Sequence, residues 1–381
     1  MILETEVEHN RVPWLDFCRA LAICLVLFGH GRGLLLPNLP WLAHIKLGGF
    51  LGVELFFVLS GFLVGGILIK ANSNSISSFG WIPTFWGRRW LRTLPNYYFF
   101  LFVNIVLLIY GIRPESVDSY WPYFFFLQNL AWPHPLFFGE AWSLAVEEMF
   151  YFLTPIAIGV ICLLTRSKES GLLLTIGLIF TASVIAKFVY VEIYNPAYDS
   201  GIRKIVLLRL DSLMIGVFLA WITSSIKASG SKKTIRKMGI FLLPLILCHP
   251  VFFSLADDSF DQSYFARTWL FLTTSIGCAG LILAGLYSVH LPKCLTWVSS
   301  RIAKLSYSAY LVHSPVLATI NILLGADQLS GYIKWLMYIS LTFLFSSITY
   351  RLIERPFLYY RDRVIPSGSL RVSDLGVVPK Q

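Results

Sequence analysis

Apolar runs of about 20 residues recur from one end of this chain to the other, each long enough to cross a bilayer. Ten such runs are expected, centred near residues 15–36, 48–70, 93–112, 142–164, 171–191, 203–223, 238–256, 268–288, 303–324 and 332–354. Lipid offers no partner to a backbone amide, so a spanning segment must bond its own peptide groups and folds as a helix. The expected fold is all-α, a polytopic membrane protein of about ten transmembrane helices in one bundle. Residues 1–363 form its integral-membrane domain and 364–381 a cytoplasmic tail. Composition agrees: 56% of the 381 residues are apolar and 14% charged, against about 25% charged in a soluble domain. Disorder and a soluble enzyme are excluded. The stretch 119–138 is also apolar but is broken by Pro122, Pro133 and Pro135. Its tryptophans and tyrosines suit the headgroup level, so it reads as an interfacial or re-entrant element.

The net charge of +10 first suggests nucleic acid. The distribution of the basic residues removes that reading. One set of alternating loops and the C-terminal tail carries 21 of them, among them Arg88, Arg89, Arg92, Arg166, the run 227–237, Arg301, Arg355 and Arg361. The opposite set carries seven (Arg32, Lys46, Arg113, Arg203, Lys204, Arg267 and Lys334) together with the acidic patch Asp257, Asp258 and Asp261. The positive-inside rule places both termini in the cytoplasm. The first fourteen residues lack a basic n-region and a cleavage site, so the first apolar run is expected to be retained as an anchor. The six cysteines lie singly in or beside apolar runs, read as small packing residues, and neither they nor any other residues show metal-ligand spacing.

Charge inside a span costs at least about 2.5–3.5 kcal/mol per residue, so such groups face a bundle interior or a wet cavity. The expected spans hold Asp16, Arg19, His30, Glu54, Glu147, Glu148, Lys187, Arg209, Asp211 and His313. With the first span entering from the cytoplasm near Asp16, His30 lies roughly 20 Å further along. Glu54, Glu147 and Glu148 fall about two turns in from the outer surface, Arg209 and Asp211 in the outer half, His313 near the middle. Polar chemistry thus converges at middle to outer depth from five spans. Each residue also has a plainer role. His30 alone would be an interfacial histidine, Glu54 with Arg209 or Asp211 a structural pair, Lys187 a snorkelling side chain, and Arg88, Arg89 and Arg92 topology charges. Glu147 and Glu148 point about 100° apart on a helix, so one at most needs to face the cavity. A histidine at such a depth suits general-base work. The segment GRRWLRTLP supplies cations where a charged donor would enter from the cytoplasm. A transporter is the alternative, but it would usually show repeat halves with broken helices, and no internal repeat is evident.

The motifs resemble those of the integral-membrane acyltransferase-3 family, which includes O-antigen and exopolysaccharide O-acetylases. In order they are WLDFCRALAICLVLFGH, GVELFFVLSGFLVGG, FWGRRWLRTLPNYY, AWSLAVEEMFYFLTP, RLDSLMIGVFLAW, LSYSAYLVHSPV and YRLIERPF, covering about residues 13–360. The resemblance implies transfer of an acetyl group from cytoplasmic acetyl-CoA to a hydroxyl of a cell-envelope polysaccharide or its lipid-linked precursor, in the bacterial cytoplasmic (inner) membrane. It implies His30 as the catalytic histidine with Arg19 essential on the same helix. Arg89 and Arg92, with Arg88 beside them, would serve the donor, since arginine suits phosphate recognition. Glu147 would act with Tyr151 near the acceptor, where Glu54, Asp211 and His313 are expected to contribute. No metal is implied. Phe17-Cys18 replaces a common Gly-Leu, with packing consequences only. Some family members append an extracytoplasmic hydrolase-like domain. None follows the tenth span here, so the chain is expected to act alone or with a separate partner, a transporter or acyl conduit feeding that partner being the second expectation.

Overall fold

The computed structural model describes residues 12–44, 48–75, 79–112, 117–228, 232–248, 259–286, 291–325 and 329–365. Among these there is helix and no strand. Ten helices follow the expected order: α1 Pro13–Gly31, α2 Gly49–Asn74, α3 Ile82–Ile109, α4 Ala141–Thr165, α5 Lys168–Tyr194, α6 Leu210–Ala228, α7 Lys232–Leu242, α8 Trp269–Leu286, α9 Lys293–Leu323 and α10 Gly331–Thr349. A π turn, Tyr350–Glu354, leads into α11, Arg355–Val364. Seven of the described helical stretches are long and apolar enough to cross a membrane: Pro13–Leu35, α2, α3, α4, α5, α8 and Gly331–Val364. The chain is a multi-pass membrane protein. Helix α6 is a shorter apolar helix. Helix α9 runs for 31 residues but carries Arg301 and Lys304 in its first half. Helix α7 passes into a 3-10 turn, Leu243–Leu247, and the rest of the expected seventh span lies outside the described residues. So do Asp257, Asp258, Lys46, Arg113 and residues 366–381 of the expected tail.

Helix α2 is the axis of the bundle, with most of its circumference buried. That explains why its sequence is apolar all round and not amphipathic. It meets α6 at a pair of glycines. A Cβ on Gly61 would lie 2.1 Å from the Leu213 carbonyl oxygen, and one on Gly216 2.2 Å from that of Val58. Only hydrogen fits there, and the backbones touch as they do at small-residue crossings in membranes. Helices α3, α5 and α10 show Phe102, Ile109, Leu178, Ile185, Leu336 and Leu344 to the outside, as lipid-facing surfaces require.

The charges inside the spans bind this core together. Glu54 of α2 pairs with Arg209, and its other oxygen accepts from Ser212 (3.0 Å) and Ser275 (2.7 Å). Lys187 of α5 meets Asp211 at 2.5 Å. It is fully buried in that pair, which overturns its expected snorkelling. Phe271 lies beneath both cations, 4.3 Å from Arg209 and 5.0 Å from Lys187. Helices α2, α5, α6 and α8 are therefore tied by side chains that lipid could not solvate.

The interfacial stretch before α4 contains one helical turn, Trp121–Phe124. It is bonded to the bundle through Tyr97 Oη to the Tyr123 carbonyl (2.8 Å) and Tyr123 Oη to the Phe137 carbonyl (2.8 Å). Asn129 joins it to the carbonyls of Trp142 (3.1 Å) and Lys204 (2.5 Å), and the Val206 amide donates back to Asn129 (2.9 Å). Phe138 takes a left-handed conformation (φ 47°) just before α4. A bulky residue holds that only when its surroundings over-determine it, here by burial against Tyr97. Trp121, Phe125 and Leu136 remain exposed.

Lys187→Met, which strands the Asp211 carboxylate, is expected to destabilise the protein by about 3–5 kcal/mol. The double variant Lys187→Met/Asp211→Leu should lose much less. Thermal unfolding in detergent of both variants against wild type measures the difference.

Candidate functional site

Two histidines from distant parts of the chain meet near one end of the bundle. Helix α1 reaches α2 backbone to backbone, since a Cβ on Gly29 would fall 2.2 Å from the Gly49 nitrogen. His30, the next residue, keeps an exposed imidazole. Behind it His313 of α9 is fully buried. The rings stand edge to face with centroids 4.8 Å apart, and His30 Nδ1 is 3.2 Å from His313 Nε2. His313 Nδ1 lies 2.6 Å from the Tyr310 carbonyl. A carbonyl only accepts, so His313 Nδ1 carries the proton there. In the neutral ring its Nε2 then accepts from His30 Nδ1–H. His30 is left with its Nε2 lone pair directed away from the pair, the tautomer a general base needs. His313 thus holds His30 as the third member of a triad holds its histidine.

Helix α4 extends the site along the bundle. Ser143, Glu147 and Tyr151 recur every four residues and share one face. Ser143 Oγ is 2.6 Å from Tyr310 Oη, which donates to the Glu140 carbonyl at 3.1 Å, so Ser143 touches the residue that holds His313. Tyr151 Oη is 2.7 Å from Ser60 Oγ and donates to Glu147 Oε2 at 3.3 Å. Of the two adjacent glutamates Glu147 therefore faces Tyr151. Glu148 is buried elsewhere, with one carboxylate oxygen lacking a hydrogen-bond partner among the described residues. The Arg89 guanidinium lies 5.7 Å from the Tyr151 ring centre and 5.8 Å from that of Phe85. From Ser143 to Tyr151 the helix rises about 12 Å, which separates the histidine end from the arginine end.

The three expected donor arginines divide. Arg88 is committed to α11, bonding Asp362 at 2.9 Å and the Ile365 carbonyl, while Arg361 grips the same Asp362 at 2.9 Å. The guanidinium groups of Arg89 and Arg92 have neither ion pair nor hydrogen-bond partner among the described residues, and both residues are half-buried. Arg19 sits three turns, about 16 Å, from His30 along α1. It is 3.6 Å from Asp16, so the structure does not bring it to the imidazole. Glu54 and Asp211, expected on the acceptor side, lie in the buried ion pairs described above, and neither carboxylate faces open space.

Several contributors escaped the sequence reading. Tyr310 precedes His313 by one helical turn, and Ser143 stood in a quoted motif without a role. Arg203 and Lys204 counted only as loop charges. The Arg203 guanidinium covers Trp142 at 4.9 Å, and Asp199 bridges Arg203 (2.5 Å) and Lys204 (2.7 Å). Burial would raise the Asp199 carboxyl, but the two cations outweigh it and hold it below its ordinary value. In the interfacial stretch, burial lowers His134 to about 3, so it stays neutral.

The site and fold define a polytopic membrane protein with a histidine centre and an arginine end joined by one helix. Residues 12–351 match the family profile described as an acyltransferase domain, acyltransferase-3, and the chain belongs to that family. It is similar to "Peptidoglycan O-acetyltransferase OatA" of Listeria monocytogenes, with 25% identity over 92% of this chain and 56% of the relative. It is similar also to "Putative peptidoglycan O-acetyltransferase YrhL" of Bacillus subtilis, with 29% identity over 92% and 55%. A third relative is "Putative O-acetyltransferase SACOL0978" of Staphylococcus aureus, with 29% identity over 91% and 57%. The chain spans about half the length of the curated relatives it matches. No solved structure matches it.

Diethyl pyrocarbonate attacks an unprotonated imidazole nitrogen. It is expected to label His30 and spare the buried His313 in the folded protein, as read by peptide mass spectrometry; equal labelling of both would contradict the assigned arrangement.

Proposed function

We propose that the protein is a membrane O-acetyltransferase that takes an acetyl group from cytoplasmic acetyl-CoA to a hydroxyl of a cell-envelope polysaccharide or its lipid-linked precursor. The observation that carries this reading is the open His30 imidazole, backed by His313 and Tyr310, at one end of α4, with Arg89 and Arg92, cations without an ion pair among the described residues, at the other. His30 Nε2 takes the proton of the acceptor hydroxyl as its oxygen attacks the thioester carbonyl. The C–S bond breaks, and the imidazolium returns the proton to the departing thiolate. Arg89 and Arg92 bind the donor's phosphates as charge-assisted partners. Glu147 and Tyr151 line the passage between the two ends, and His313 orients His30. Arg19 serves the arginine end and not the imidazole. Arg88 shapes that end by holding α11 against α3.

The family, together with the charge bias of the loops, supports a bacterial cytoplasmic membrane with both termini inside. Under that orientation the arginine end opens to the cytoplasm and the histidine end to the outer side. Relatives named for peptidoglycan favour a glycan of the cell wall over an O-antigen as acceptor. Residues 1–363 are the acyltransferase domain in this reading, and 364–381 its tail. A second reading, an acyl conduit that hands the group to a separate transferase, draws on the greater length of those relatives.

His30→Ala is expected to abolish glycan O-acetylation in cells while membrane abundance stays unchanged; acetylation that persists would refute the base assignment. Purified protein that transfers label from acetyl-CoA to acceptor without a partner would eliminate the conduit. The pair Arg89→Ala/Arg92→Ala should raise the KM for acetyl-CoA at least tenfold, from the loss of bonds to charge worth about 1.5–3 kcal/mol each, with acceptor affinity unchanged.

A further inference from the structure

We propose that Arg203 supplies the positive charge that meets the tetrahedral oxyanion formed at His30. The inference rests on the acyl-transfer reading above and adds a catalytic residue to it. Arg203 stands in the connection between α5 and α6, within a single π turn, Asp199–Arg203. That connection is pinned on both flanks. Asn129 holds the Lys204 carbonyl at 2.5 Å, and Asp261 takes the Tyr198 amide at 2.6 Å. Arg267 bonds Asn195 and, at 3.3 Å, the Pro196 carbonyl. An anchored turn presents its side chain without the reorganisation that weakens an electrostatic catalyst.

The guanidinium is itself clamped. Its flat face lies on Trp142, and Asp199 engages Nε at 2.6 Å and Nη2 at 2.5 Å. A guanidinium has five N–H donors. The remaining ones, both on Nη1 among them, have no partner among the described residues. Trp142 is followed by Ser143, whose bond to Tyr310 leads to His313 and His30. Arg203 is accordingly seated at the histidine end of the site. Two cations, Arg203 and Lys204, against one carboxylate, Asp199, leave net positive charge in this connection.

The pair thus keeps a second cation, Lys204, and uncommitted N–H donors on the guanidinium. Acyl transfer creates a need for both. When the acceptor oxygen bonds to the thioester carbon and its proton passes to His30, the carbonyl π electrons move to oxygen and give an anion. Expulsion of the thiolate restores the carbonyl, and His30 returns the proton to sulfur. The anion exists only between these events, so a fixed cation favours it over the ground state. Trp142 and Asp199 are positioning residues for that cation.

The test uses permeabilised membranes that contain the full chain and the endogenous acceptor, supplied with radiolabelled acetyl-CoA. Turnover is counted per folded molecule by fluorescence-detected gel filtration. Arg203→Gln is expected to lower turnover about 10²–10³-fold, the usual cost of losing one oxyanion donor, with the KM for acetyl-CoA unchanged. Arg203→Lys, which keeps the charge, should turn over at least tenfold faster than Arg203→Gln. The proposal is overturned if Arg203→Gln stays within threefold of wild type, if the Lys and Gln variants are equal, or if the loss is cured by raising acetyl-CoA concentration. A wild-type protein that transfers no label would instead refute the acetyl-transfer reading on which the proposal stands.

Discussion

Charge in an apolar medium is the constraint on which the rest of this structure depends. Lipid cannot hydrate Glu54, Arg209, Lys187 or Asp211, so each must find its counterpart before the bundle is complete. Their partners lie on different helices, and satisfying them leaves little freedom in how α2, α5, α6 and α8 are arranged. Two further hydroxyls, Ser212 and Ser275, occupy the second oxygen of Glu54. Apolar packing alone would permit sliding between helices whose surfaces are uniformly greasy. The ion pairs remove that freedom, and with it the uncertainty in where the histidine end lies relative to α2.

The same rule separates the scaffold from the site. Charges that are fully paired and sealed hold helices, as at Glu54 and Asp211. Those left incompletely matched, Arg89, Arg92, Arg203 and the imidazole of His30, are the ones to which the proposed chemistry is assigned. What sets the carboxylates of Glu54 and Asp211 apart is that the protein has already used both oxygens of each.

The chain's ten-helix order was legible because apolar runs and loop charge are local properties. His30 stood out by its depth, and the resemblance to the acyltransferase-3 family added Glu147 and Tyr151. Partnerships were not legible. Lys187 reads as a snorkelling residue until Asp211, 24 positions away, is seen against it. Glu147 and Glu148 are equivalent on paper, and only Tyr151 and Ser60 tell them apart. Arg203 looks like a topology charge because its significance comes from Trp142 on another helix. The hydrogen-bond direction from Tyr310 through His313 depends on a carbonyl that no residue type announces.

Helix α4 carries Ser143, Glu147 and Tyr151 on one face and so acts as a gauge between the two ends of the site. Its periodicity tolerates exchange of side chains but not a change in count. One residue inserted between Ser143 and Tyr151 would turn one end against the other by about 100°. The histidine centre would then face one way and the arginines another, although every chemical group remained present. In this protein the phase of a helix is part of the proposed site.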